Sequence, residues 1–435
     1  MRPLLFIFFL LVLSSRSEND TKNVDSEGLI DIETSIIDND EDFAKFLPFR
    51  SLTTDILSDL DVRLNSRFYK DSNIVLTSIP VDSAALSSQL LITYSGGTPR
   101  QTGPGLEYSV VYGASLFSYE TDLIGYDNLI NNSMSSFLEA RGAFTKLESR
   151  FDYREVSGFG ASDELKDFGL LEGQIRREAY NIINFEPTIY REFSNLQAAL
   201  GVDYDSTEFD NDSPESGFLF DRNRILFDIE LLYNAPFLAK TSLGFGFNFG
   251  RESVVGSGFA DQDFMTPGLR AKWVYSQKTE LGGYVGLNKR DRSGTDFNSS
   301  DTVFGLKGRL QFLPSTRIDL DLERTVEASF SEKDENILGT KYTASLNHEF
   351  GNYNLDLIYA YKTSDYSSTT NEMSAFSGRK EDLNYLKITI NRPLDLGFLD
   401  NSSGGIFYTQ IINSGQARNY DFKGEQIGVV LNFGF

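Results

Sequence analysis

The chain has 435 residues, with 40 basic and 63 acidic side chains and a formal net charge of −23. It has no cysteine, which excludes disulfides, thiolate metal sites and a thiol nucleophile. A single histidine argues against a histidine-based catalytic triad or a multi-histidine metal site. The acidic excess argues against binding to nucleic acid phosphates. The composition therefore predicts no enzyme, no catalytic residues, no cofactor, no metal and no nucleic-acid partner.

The first 17 residues have the pattern of a secretory signal peptide. Arg2 precedes ten consecutive apolar residues, Leu4 to Leu13, and small residues at 15 and 17 offer a cleavage site. Ten apolar residues are too few for a membrane-spanning helix. Residues 18–56 are rich in acidic side chains and are predicted to be an N-terminal periplasmic segment. Residues 57–435 are predicted to form one large β-domain.

Along residues 57–435 apolar and polar side chains alternate with the period of a β-strand. Between Arg224 and Tyr233, for example, Ile225, Phe227 and Ile229 lie in one phase, and Arg224, Asp228 and Glu230 lie in the other. Two architectures give this pattern. In a sandwich the apolar face packs inward, whereas in a membrane barrel it meets lipid and the polar face lines a lumen.

Two features favour the barrel. Several apolar faces end in aromatic residues, which is typical of the girdles at membrane interfaces; these are Phe68, Tyr204, Tyr233, Phe249 and Tyr361. Short connections, such as 194–195 and 351–352, alternate with longer ones, such as 206–220, 251–266, 289–300, 325–339 and 363–381. The sequence therefore predicts an all-β, transmembrane antiparallel up-and-down β-barrel of about 16–18 strands, with short periplasmic turns and longer outside loops. Four strands are expected before Arg154 and about fourteen after Asp167.

The run from Gln426 to Phe435 resembles the terminal recognition signal of Gram-negative outer-membrane barrels. This resemblance implies a bacterial outer-membrane location, Phe433 and Phe435 as an assembly signal read by the barrel-assembly machinery, and contact with outer-membrane lipid and lipopolysaccharide. A looser resemblance covers residues 68–77, Gly96-Gly97 and the strand 108–119. These segments are similar to the opening of the β-barrel porin 2 family, which implies a porin-like fold and no particular substrate.

The charged residues in phase with the polar face are the candidate site, because opposite charges around a pore create a transverse field that filters polar solutes. The predicted pore-lining residues are Arg63, Arg67, Arg224, Asp228, Glu230, Arg270, Lys272, Lys307, Arg309, Arg317, Asp319 and Asp321. The alternative is that these charges form salt bridges that only fill the lumen. His348 is in phase with the apolar face and is predicted to lie among interfacial aromatics.

These patterns favour a porin-like channel for passive or weakly selective passage of small polar solutes. Two alternatives remain open from the sequence. The barrel could anchor surface loops that act in binding or adhesion, or it could be an exit channel for a secreted polysaccharide. The sequence does not indicate an oligomeric state.

Overall fold

The structure is a computed structural model. It describes residues 60–74, 80–98, 104–120, 129–157, 179–209, 221–234, 238, 240–255, 261–276, 278–292, 298–328, 335–368, 380–395, 402–415 and 421–435. None of these residues forms a helix long and apolar enough to cross a membrane. The predicted signal peptide, the acidic segment 18–56 and the boundary at residue 57 lie outside the described residues, so these assignments remain predictions.

The described residues form eighteen antiparallel β-strands in one closed sheet. The strands are β1 (Leu60–Asp71), β2 (Ser83–Thr98), β3 (Gly105–Tyr119), β4 (Leu129–Arg141), β5 (Thr145–Ser157), β6 (Ala179–Phe193), β7 (Leu196–Phe209), β8 (Arg222–Asn234), β9 (Thr241–Val254), β10 (Gln262–Ser276), β11 (Thr279–Arg292), β12 (Asn298–Leu313), β13 (Thr316–Ala328), β14 (Glu335–Phe350), β15 (Tyr353–Ser368), β16 (Lys380–Pro393), β17 (Ser403–Gly415) and β18 (Phe422–Gly434). Each strand pairs with the next, and β1 also pairs with β18. The predicted up-and-down barrel is confirmed, at the upper end of the predicted strand number.

The register assigns every strand an outer and an inner face. On β1, Phe68 lies opposite Val429 of β18 and Leu86 of β2, and this apolar row continues around the barrel with exposed side chains. On the other face, Arg222 of β8 contacts Glu327 of β13, five strands away. Side chains that distant along the wall can meet only on the concave side. The apolar face is therefore the outside of the barrel and the charged face is the inside.

The strands are distributed differently from the prediction of four before Arg154 and fourteen after Asp167. Five strands, β1 to β5, end by residue 157, and thirteen follow from residue 179. The alternation is weak in β4, where the outer face carries Asn132 and Ser136 and the inner face carries Phe137. The polar and apolar residues of this strand therefore do not mark its faces.

The connections alternate in length, as predicted. Two-residue turns at 194–195, 314–315 and 351–352 lie at one end of the barrel, called here the turn end, and the opposite end is called the loop end. At the loop end the strands continue into segments predicted as loops. For example, β14 begins at Glu335, although residues 325–339 were assigned to a loop because polar residues are frequent there.

Aromatic side chains mark two levels on the outer face. On β15, Tyr353 lies near the turn end and Tyr361 is eight residues further on. Eight strand residues cover ~26 Å along the chain, or roughly 20 Å along the barrel axis at the usual strand tilt, which lies within the roughly 25 Å apolar band and its flanking girdles in outer-membrane barrels. Tyr361 donates a hydrogen bond to Asp382, also outward-facing, at 3.0 Å. Tyrosines with an apolar body and a bonded hydroxyl are typical of such interfaces.

The first and last strands are joined at the loop end by side-chain hydrogen bonds beyond the strand pairing. The fully buried Asn73 donates from Nδ2 to the carbonyl oxygen of Lys423 at 3.0 Å. Gln426 donates to Asp71 at 2.7 Å, and the Ser72 hydroxyl accepts from the amide of Glu425 at 2.8 Å. These contacts involve the acidic–Asn part of the segment 68–77 that carries the looser family resemblance.

Candidate functional site

All twelve predicted pore-lining residues lie on the inner face of the barrel. Their positions follow from register: Arg67 is opposite Val430 of β18, Asp228 is opposite Asn248 of β9, and Lys307 is opposite Asp321 of β13. The structure brings most of them together in opposite-charge groups between the middle and the turn end. Lys272, in contrast, is exposed. Whether these residues line a conducting path remains a proposal, considered below.

The best-connected of these groups centres on Arg270 of β10. Its guanidinium donates to Asp228 at 2.5 Å and to Glu230 at 2.7 Å, both on β8, and to Asn248 at 2.8 Å. To reach β8 the side chain must cross β9, and it does so over Gly246. A Cβ atom at Gly246 would lie 2.1 Å from Nε of Arg270. This glycine therefore provides the space for an ion pair between strands that are not adjacent.

A second group lies nearer the turn end, on β12 and β13. Arg309 and Arg317 both contact Asp319, at 3.3 Å and 2.8 Å, and Lys307 approaches Asp321 at 3.9 Å. These side chains are partly exposed, so the pairs are solvated and contribute little net stability. On β1, Arg63 pairs with Asp61 at 2.7 Å, and its neighbour Arg67 lies over the ring of Phe407 at 5.6 Å.

Sequence reasoning missed a largely buried ionic group at the loop end. We call it the loop-end cluster and define it as Arg222, Glu252, Arg290 and Glu327. Arg222 contacts Glu252 at 3.5 Å and Glu327 at 3.4 Å, and Arg290 contacts Glu252 at 2.6 Å. Glu252, Arg290 and Glu327 fall inside the predicted loops 251–266, 289–300 and 325–339. The alternation that places residues on the inner face in fact continues through these positions.

Arg224, which was among the predicted residues, lies beside this cluster. It contacts Asp203 on the neighbouring strand β7 at 3.0 Å. Asp205 approaches Arg222 at 3.7 Å. The inner face from β7 to β13, called here the charged sector, thus carries acidic and basic groups from the turn end to the loop end.

Part of the remaining arc, from β15 to β3, is different, although β1 within it carries the inward Arg63 and Arg67. The inner faces of β2, β17 and β18 carry no charged side chain. Two buried apolar groups occupy this arc, which we call the aromatic sector: Tyr69, Ile74, Ala85, Phe117, Tyr119, Phe407 and Val430 in one, and Ala360, Leu383, Tyr385, Ile411 and Phe422 in the other. Tyr69 and Phe407 pack edge to face with ring centroids 5.8 Å apart. A set of aromatic residues therefore packs inside the barrel, in addition to those that end the outward apolar faces.

The residues assigned to assembly and to the interface lie on the outer face. Phe433 is opposite Leu64, and Phe435 is exposed, with its amide donating to the carbonyl of Val62 at 2.9 Å. The assembly role of Phe433 and Phe435 remains a prediction. His348 is outward-facing, as predicted: its Nδ1 lies 2.8 Å from the Thr316 hydroxyl and its ring stacks on Phe350. No group of three potential metal ligands occurs among the described residues.

The fold and inner face define the protein as a closed, eighteen-stranded antiparallel β-barrel with an ionic interior. No family model matches the chain. No curated protein matches it either. The resemblance to the β-barrel porin 2 family therefore stays a prediction, whereas the barrel fold that it implies is confirmed by the closed sheet.

Solved structures of outer-membrane proteins cover most of the chain. The outer membrane protein OpdK of Pseudomonas aeruginosa is 14% identical, with a TM-score of 0.40, over 87% of this chain and 99% of that one. OccK2 of P. aeruginosa, solved in complex with glucuronate, is 11% identical, with a TM-score of 0.42, over 87% and 99%. The siderophore receptor PirA of P. aeruginosa is 13% identical, with a TM-score of 0.39, over 86% and 80%. Likeness at this level assigns neither a family nor a solute.

Proposed function

We propose that this protein is an outer-membrane channel for passive or weakly selective passage of small polar solutes. The observation that carries the proposal is the opposite character of the two faces of a closed sheet. The outer face is mainly apolar, and the inner face carries charges of both signs. A closed barrel has no unpaired strand edge, which is the condition for β-strands to cross lipid.

In this proposal the twelve predicted residues and their partners line the path. Arg270 with Asp228 and Glu230, and Arg309 and Arg317 with Asp319, place opposite charges side by side along one wall. Such a wall orients dipolar solutes without excluding either sign of ion strongly. The turn end faces the periplasm and the loop end faces outward. Lipopolysaccharide and outer-membrane lipid surround the apolar belt, and the barrel-assembly machinery recognises the strand that ends in Phe433 and Phe435.

Single-channel recording in planar bilayers tests the channel directly. The refolded protein should give discrete conductance steps. A companion experiment tests the membrane orientation with two adjacent residues of β2. Gln89 is inward and Leu90 is outward, opposite Leu64. Because the chain has no cysteine, Gln89→Cys and Leu90→Cys each introduce one thiol.

The two thiols should behave oppositely in liposomes. Cysteine at position 89 should react with a water-soluble maleimide, whereas a fluorophore at position 90 should be quenched by lipid-borne nitroxide. If position 90 reacts in water and shows no lipid quenching, the apolar face does not meet lipid and the membrane proposal is wrong. If position 90 contacts lipid but no conductance is observed, the barrel spans the membrane without acting as a channel.

A barrel that only anchors surface-binding loops is the second candidate. The burial of Arg222, Glu252 and Arg290 in the loop-end cluster favours it, because side chains that fill the lumen obstruct a path. A barrel that inserts into bilayers but gives no conductance steps would support this candidate. The polysaccharide-exit alternative gains no support from the inner aromatics, because Tyr69, Phe117 and Phe407 are buried against each other and present no ring to a passing sugar.

A further inference from the structure

The end of the β13–β14 hairpin is buried on both of its faces. Register places Val326, Ala328 and Asn336 on the outer face and Ile337 on the inner face, yet all four are at most 6% exposed. These described residues, 326–328 and 336–337, are called here the β13–β14 shoulder. A strand end that continued straight along the barrel wall would leave its outer face exposed.

The β9–β10 hairpin at the same end of the barrel gives the comparison. Its inner residues, Glu252 and Gln262, are buried, whereas their outer neighbours, Arg251 and Asp263, are about half exposed. The β9–β10 hairpin therefore has one buried and one open face at the loop end, whereas the β13–β14 shoulder is buried on both.

Two arginines from other strands bond to the backbone of the shoulder. Arg222 of β8 donates to the carbonyl oxygen of Ala328 at 3.5 Å, and Arg290 of β11 donates to that of Val326. Arg222 also contacts the Glu327 carboxylate at 3.4 Å. Both arginine side chains are almost completely buried. The two arginines thus hold the shoulder through the Glu327 side chain and through the backbone carbonyls of Val326 and Ala328.

The distance along the wall shows where the shoulder must lie. Five strand spacings separate β8 from β13, which is ~24 Å along the sheet. An arginine and a glutamate on a flat sheet do not reach across that distance. The Arg222–Glu327 contact therefore means that the loop-end parts of β8 and β13 approach each other across the lumen.

We propose that the β13–β14 shoulder folds into the lumen and that Arg222 and Arg290 hold it there as the constriction of the channel. This inference rests on the proposed channel function. Glu252 lies between the two arginines, at 3.5 Å and 2.6 Å, and keeps both guanidinium groups oriented toward the shoulder. Arg222 is the central residue, because Asp205, Glu252 and Glu327 all surround it.

Removing one arginine should open the constriction and change its charge. The Arg222→Gln substitution removes the cation that three carboxylates share. It also removes the contact between Arg222 and Glu327, so the shoulder should move outward. Single-channel conductance should rise, and the reversal potential in a salt gradient should shift toward cations. Arg290→Gln should do the same. Arg251→Gln is the matched control, because Arg251 lies on β9 next to Glu252, but faces outward and pairs with Asp263.

A labelling experiment measures the movement without relying on conductance. Ala328→Cys places a thiol at a site that is 1% exposed. In liposomes this thiol should react slowly, and adding Arg222→Gln should accelerate labelling by about tenfold or more, because loss of one partner from a buried ion pair shifts an equilibrium by at least that factor. Heat-modifiable mobility on gels confirms that each variant is folded.

The two readouts separate the constriction from the channel. Faster labelling with raised conductance supports both proposals. Faster labelling, with no conductance from any variant in bilayers, supports the position of the shoulder but contradicts the channel. If folded Arg222→Gln and Arg290→Gln match Arg251→Gln in conductance, selectivity and labelling rate, the arginines do not hold the shoulder and the inference is wrong.

Discussion

The charged sector and the aromatic sector occupy opposite arcs of one inner wall, and they are held together by different forces. In the charged sector, contacts are directional and cross between strands, as when Arg270 reaches over β9 to Asp228. In the aromatic sector, Tyr385 and Ile411 are almost fully buried among apolar neighbours. The inner wall of a barrel is therefore not uniformly polar, and its two arcs should respond differently to substitution.

The difference has an energetic consequence. Apolar burial stabilises by about 0.8 kcal/mol for each methylene group, so the aromatic sector contributes directly to the stability of the fold. Ion pairs gain less, because burial removes the hydration of both charges, and breaking one pair costs more than the intact pair contributes. We infer that the aromatic sector is mainly structural, whereas the charged sector determines how the interior interacts with solutes.

The largest effect should follow a cavity in the aromatic sector. Ile411 is 2% exposed inside the barrel, and Ile406, on the same strand, is 60% exposed outside. Ile411→Ala should lower the free energy of unfolding by about 2–5 kcal/mol, because transfer and cavity costs add. Guanidinium unfolding in detergent micelles or lipid vesicles measures it.

The same substitution at Ile406 is the control. Ile406→Ala removes the same atoms from a surface that meets lipid or detergent, where no rigid cavity forms. Its cost should be clearly smaller than that of Ile411→Ala. If the two variants lose equal stability, the inner apolar group is not packed as a core and the contrast between sectors is incorrect.

A smaller loss of stability, with a change in selectivity, should follow from a charge deletion in the other sector. Arg270→Gln leaves Asp228 and Glu230 without the guanidinium that joins them. We expect a loss of about 1–3 kcal/mol, the range for a charged hydrogen-bonding group left without its partner. The reversal potential in a salt gradient should shift toward cations.

A double-mutant cycle sharpens this prediction. If the effect of Arg270→Gln comes from Asp228, the substitution should cost less in an Asp228→Asn background. Equal costs in both backgrounds would show that Arg270 acts through other contacts. Lys272→Gln is a matched deletion on the same strand, at an exposed residue, and should change stability little.

Much of this organisation follows from sequence because the strand period assigns faces. All twelve predicted charged residues lie inside, and His348 lies outside, since the two-residue period of the backbone is maintained through the strands that carry them. Alternation does not show which side chains on the same face contact each other. The pairing of Arg270 with Asp228 depends on register and on a glycine between them, and neither can be derived from period alone.

Two other features could not be predicted for separate reasons. Glu252, Arg290 and Glu327 were assigned to loops, because charge near a connection resembles a solvated loop although the strand continues. The β13–β14 shoulder departs from alternation itself: Val326 and Ile337 lie on opposite faces and both are buried. A rule that assigns one buried and one exposed face cannot identify a hairpin end that is buried on both faces.

The smallest predicted effect concerns the seam between β1 and β18, within the aromatic sector. Asn73 is fully buried, and its side chain donates to the carbonyl of Lys423. Asn73→Ala removes this hydrogen bond, and its net cost should be about 1 kcal/mol. Asn195→Ala, at an exposed position in the β6–β7 turn, should leave stability unchanged. Guanidinium titrations of both variants test the seam, and a loss at residue 73 no larger than that at residue 195 would show that this side-chain bond adds nothing to the strand pairing that closes the barrel.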